Sequence, residues 1–113
     1  METKNGEVKK EEPIDPIVKL RKPINRMSGE SLAGLTVDID ELDAEALHNI
    51  EAEYVALFPS ISPTNGIYMT DSKYQLMVIG RANKLRYEEI SKLHARDTIN
   101  VTMRFSRFLA EPA

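Results

Sequence analysis

The spacing of apolar residues changes once along this chain, and that change fixes the class of fold it can adopt. Before residue 40, apolar side chains recur at every second position. Val18 and Leu20 fall on the opposite face from Lys19 and Arg21, and Leu35, Val37 and Ile39 share one face, the alternation of half-buried strands. After residue 43 the interval becomes three or four, the repeat of a helix with one buried side. A length of 113 residues closes one modest core. The expectation is a mainly α (α+β) protein with a single domain over 16–113. A short N-terminal β-hairpin within 16–40 precedes a bundle of three to four helices within 43–110.

Residues 1–15 are rich in Lys and Glu, contain Pro13 and offer only Val8 and Ile14 as apolar anchors. Too little surface can be buried there to offset ordering, so a flexible segment is expected. Ile17 to Lys22 reads as the first strand, with Pro23 confining it to an edge or an end. Asn25 to Glu30, with Ser28-Gly29, reads as the turn, and Leu35 to Ile39 as the second strand. Asp43 suits the N-cap of a helix running from Ala44 to Phe58. Leu47, Ile50, Tyr54, Leu57 and Phe58 fall inward there, and Glu45, His48, Glu51 and Ala52 outward. Pro59, Pro63 and Asn65-Gly66 end it and build a loop.

Thr70 is placed to cap a second helix to about Leu85, with Tyr74, Val78, Ala82 and Leu85 inside. Gly80 within it costs about 1 kcal/mol relative to Ala, either for close packing or because it is merely tolerated. A short third helix, Tyr87 to His94, turns Ile90 and Leu93 inward. Asp97 then caps a last helix to Ala110.

That last helix carries two apolar stripes. Val101, Phe105, Phe108 and Leu109 stand at the spacing of one buried face, while Ile99, Met103 and Ala110 stand on the opposite side. Asn100, Arg104 and Arg107 line a flank between them. A helix that closes a small domain needs one stripe. The second is either a partner surface, with Ile99, Met103, Arg104 and Arg107 as its binding residues, or is covered by the N-terminal segment or another helix.

Charge is divided along the chain, although the net value is only −3. Asp38, Asp40, Glu41, Asp43, Glu45, Glu51 and Glu53 occur within 35–58, where Lys and Arg are absent. Arg81, Lys84, Arg86, Lys92, Arg96, Arg104 and Arg107 outnumber the acids of 81–107. The two stretches either attract each other within one fold or guide association between copies, which predicts a weak homo-oligomer.

No catalytic, cofactor or metal constellation is legible, so the expectation is a binding protein and not an enzyme. His48-x-x-Glu51 is a helical pairing of ligand types, but on an exposed face it reads as a solvated pair. Glycines 6, 29, 34, 66 and 80 form no phosphate-cradling loop. Cysteine is absent, which suits a reducing compartment. No stretch reaches the ~18 apolar residues that span a bilayer.

In order, the chain presents Val18-Lys19-Leu20-Arg21-Lys22-Pro23-Ile24, a Gly-containing turn, a second strand and an acidic helix. Then come Tyr74 to Leu85 with Arg81-Ala82, the phrase Glu89-Ile90-Ser91-Lys92-Leu93, Asp97, and a helix ending Phe108-Leu109. Over residues 17–110 this resembles the tail assembly chaperones of long-tailed bacteriophages, although Phe58 to Met69 does not align and no functional residue is carried over. The resemblance implies a protein of the host bacterial cytoplasm that binds and solubilises the tape measure protein, helps recruit the tail tube protein, and is absent from the mature virion. No cofactor, nucleic-acid or membrane partner is expected from these residues, and relatives often make a longer frameshifted product. Two other readings stay open. One is a small helix-turn-helix protein presenting Asn100, Arg104 and Arg107 to DNA, against which an isoelectric point of about 5.4 weighs. The other is a structural virion subunit.

Overall fold

The computed structural model describes residues 14–59 and 71–110. Strands β1 (Ile17–Asn25) and β2 (Ser31–Thr36) form an antiparallel hairpin, followed by helices α1 (Ala44–Leu57), α2 (Ser72–Ala82), α3 (Tyr87–Ile90) and α4 (Ala95–Ala110). This is the α+β order that the change of periodicity implies. Residues 1–13, the loop around Pro63 and Asn65-Gly66, and the expected cap Thr70 lie outside the described residues.

The hairpin is irregular in an informative way. Ile17, Val18 and Lys19 pair with Thr36, Leu35 and Gly34, and Ile24 and Asn25 pair with Leu32 and Ser31. Leu20 to Pro23 therefore stand opposite Ala33 alone. Pro23 has no N–H for the ladder, and a bulge accommodates it. Gly29, with φ of 97°, closes the turn by donating to the Arg26 carbonyl at 2.8 Å. β2 sits earlier than the expected Leu35–Ile39. Beyond Thr36, Val37 still donates to the Pro16 carbonyl at 2.7 Å. Then the Thr36 hydroxyl and the Asp38 carboxylate take the N–H groups of Asp38 and Asp40, which ends the ladder by local side-chain capture.

Asp43 caps α1 by accepting from the Ala46 N–H at 2.9 Å. Ile50 and Tyr54 are buried as expected, whereas Leu57 is 46% exposed. The inward place is taken by Phe58, whose ring centroid lies 5.7 Å from that of Tyr54. The cap of α2 is Asp71, not Thr70. Its carboxylate accepts from the Lys73 N–H at 2.8 Å and from the Tyr54 hydroxyl. A single inner stripe was expected on α2. Instead Tyr74, Gln75, Met77, Val78, Ile79 and Gly80 are all buried, because α1, β2, α3 and α4 all pack against this one helix.

Helix α2 stops at Ala82, short of Leu85. Lys84 adopts φ of 59°, and Leu85 N–H returns to the Gly80 carbonyl while Lys84 N–H returns to that of Arg81, a Schellman ending. Gly80 stands where α2 packs closely on the turn and on α3. A Cβ there would lie 3.2 Å from the Leu85 carbonyl oxygen and 3.3 Å from Ile90 Cγ2. Helix α3 is four residues long, not the expected eight-residue Tyr87–His94 segment, although Ile90 and Leu93 are both buried.

Helix α4 begins at Ala95, so Asp97 is not its cap. The group at that end is His94, whose Nδ1 accepts from Arg96 N–H at 3.3 Å. Asp97 lies inside the first turn and is fully buried. Its oxygens accept from Arg21 N–H at 2.9 and 3.1 Å and from Lys22 N–H at 3.0 Å. These are donors that the bulge withdraws from the ladder, so a carboxylate of the last helix satisfies the backbone of the first strand.

Candidate partner-binding surface

At 100° per residue, the buried residues Asp97, Val101 and Phe105 centre on one side of α4. Ile99, Met103 and Ala110 centre on the other. The structure separates the two stripes as the spacing predicts: Val101 and Phe105 are fully buried, while Ile99 is 56% and Met103 60% exposed. The large stripe is incomplete at its end, since Phe108 is half-buried and Leu109 is 40% exposed. Arg104 lies against the start of β1, and Leu109, about 140° round the helix from it, does not share that cover.

The four expected binding residues do not play equal parts. Ile99 and Met103 form an apolar strip on solvent, and Arg107 is exposed beside it. Arg104 is half-buried and holds the start of β1. Its Nη1 donates to the Asp15 carbonyl at 2.8 Å and to the Ile17 carbonyl at 3.3 Å. With Asp97 gripping Arg21 and Lys22, α4 holds β1 at two points about two helical turns apart.

Between the grips, Val18, Lys19, Asn100, Met103, Arg104 and Arg107 line an open depression of about 320 Å³. Lys19 was not foreseen as part of this surface. Its place in an alternating strand gave no sign that α4 would lie alongside. A second depression, about 290 Å³, is lined by Thr36, Asp38, Glu41, Leu42, Arg81, Ala82 and Lys84, where both signs of charge meet.

The acidic and basic stretches touch at one ion pair among the described residues, Arg81 to Glu53 at 3.7 Å. No α4 cation pairs with a carboxylate there. Electrostatics at the base of α4 are governed by Asp97. Burial alone would raise its pKa, but the N–H groups of Arg21 and Lys22 and the nearby side chains of His94 and Arg21 outweigh burial and hold it below the ordinary 3.8. Glu89 is also lowered, by backbone N–H donation from Met27 and Arg86, and so ties the hairpin turn to α3.

Among the described residues no group of three His, Cys, Asp or Glu side chains is placed to hold a metal ion, and no helix is long and apolar enough to cross a membrane. A helix-turn-helix reading fits poorly, because α3 has only four residues and Arg104 is engaged with β1. No protein-family model, curated protein or solved structure matches the chain.

Proposed function

We propose that this chain is an assembly chaperone of the phage-tail kind. In this reading it binds an apolar helical part of the tape measure protein in the host cytoplasm, keeps that protein in solution, helps recruit tail tube subunits and does not stay in the virion. The observation that carries the reading is the outward strip of Ile99 and Met103, set opposite a face of α4 that already buries Val101 and Phe105. Apolar area left in water costs about 25 cal/mol per Å², and a helical partner laid on the strip removes that cost. Met adapts to apolar surfaces of varied shape, which suits a protein that must receive a long chain at many places.

The test is co-expression with the tape measure protein. Ile99→Gln and Met103→Gln together should lower its soluble fraction to the level found without the chaperone, while the variant itself still melts cooperatively. Soluble yield at the wild-type level would remove the strip from the binding role.

A further inference from the structure

The outward strip of α4 has two unlike borders. One is formed by Ala95, Thr102 and Ser106, all uncharged, and the Thr102 hydroxyl is spent on the Thr98 carbonyl at 2.8 Å. The other carries Arg96, Arg104 and Arg107, with Lys19 of β1 across the depression of about 320 Å³. Among the described residues none of these four cations lies within ion-pair distance of a carboxylate. Among the described residues this charge has no ion-pair partner, and it sits directly beside exposed Met103.

We infer that the helix received by α4 carries carboxylates along one border of its own apolar stripe, the border that meets Lys19, Arg104 and Arg107. The inference rests on the binding role proposed above and adds the partner's chemistry and direction. Charge on one side only decides whether a given acidic helix docks parallel or antiparallel to α4, because just one direction brings its carboxylates to the basic border. The depression has room for an acidic side chain next to Met103, so apolar and ionic contacts form in one docking event.

Two designed peptides of about five helical turns provide the probe. Both have a Leu stripe, and one border is all Glu in the first and all Lys in the second. Binding to the full chain is read by fluorescence anisotropy at low and high salt. Two or three exposed pairs should make the Glu peptide bind roughly tenfold tighter at low salt, and high salt should shrink the difference. Lys19→Glu with Arg107→Glu should remove that preference, because two cations and two carboxylates then share the border. Arg104 is kept, since it also holds Asp15 and Ile17, and melting confirms that the variant folds.

Equal affinity for both peptides overturns the inference and leaves the binding role standing. An unchanged preference in the charge-reversed variant also overturns it. Displacement of the Glu peptide by duplex DNA at physiological salt overturns it in favour of a phosphate surface. If neither peptide binds, the binding role itself falls, and a dimer abolished by the same reversal then assigns the strip to a second copy.

Discussion

The carboxylate of Asp97 and the backbone N–H of Arg21, 76 residues apart, are joined by a forked hydrogen bond of 2.9 and 3.1 Å. With the contact to Lys22, it sets a buried anion over two donors freed by the β1 bulge. Asp97→Ala leaves those N–H groups unpaired, each at about 1–3 kcal/mol. Asp97→Asn keeps one acceptor but turns an NH₂ toward donors, and should fall between Ala and wild type. Urea unfolding measures the order. An Asn variant as stable as wild type would mean that the charge contributes nothing to the clasp.

Acid should open the same clasp. Asp97 and Asp71 lie below the ordinary 3.8 and Glu89 below the ordinary 4.5. A carboxylate lowered on folding lends stability that is complete above its unfolded pKa and is lost as pH falls through its folded pKa. Stability should therefore be flat at neutral pH and decline below about pH 4.5. The decline should be shallower in Asp97→Asn than in wild type. Equal slopes in the two proteins would place the acid sensitivity elsewhere.

The end of α2 offers a gain and a loss four residues apart. Lys84→Gly removes the strain of a left-handed residue, φ 59°, and should stabilise by about 1 kcal/mol. Gly80→Ala gains about 1 kcal/mol of helix propensity but meets a backbone oxygen at 3.2 Å that the Schellman turn fixes in place. The clash should prevail, leaving a lower Tm. A higher Tm would show that Leu85 can retreat.

Phe105→Ala, in the fully buried stripe of α4, should cost about 3–5 kcal/mol and abolish cooperative melting. The Ile99/Met103 double Gln variant should melt within a few degrees of wild type. Thermal unfolding of the two side by side tests whether the stripes are truly divided into core and surface.

The α4 cations, which among the described residues have no ion-pair partner, and the acids of α1 should also draw copies together head to tail. Sedimentation at low salt should show a weak concentration-dependent oligomer that disperses as salt rises. A strictly monomeric protein at high concentration and low salt would exclude this contact.

Fold class was legible because it depends on local geometry. The direction of a side chain from its own backbone repeats every two residues in a strand and every 3.6 in a helix. Val18 and Leu20, Ile50 and Tyr54, and Val101 and Phe105 therefore announced their buried faces, and Ile99 and Met103 their outward one. The cap at Asp43 was equally local. Thr70 was an adjacent misreading, one residue from the Asp71 that caps α2.

What a residue meets across space has no such local signature. Asp97 looked like a helix cap because Asp commonly is one. Only the packing of α4 on β1 shows that it serves Arg21 and Lys22, whose N–H groups were freed by a bulge around Pro23. Lys19 alternates like any strand residue until α4 places Met103 and Arg107 beside it. Helix α2 displayed one stripe in sequence yet is buried on nearly all sides. Periodicity reports where side chains point, while burial depends on how many neighbours arrive. The chain by itself determined which elements form and which faces are apolar. Tertiary packing decided which polar groups answer one another, because hydrogen bonds and charge act over a few ångströms between segments that the sequence holds far apart.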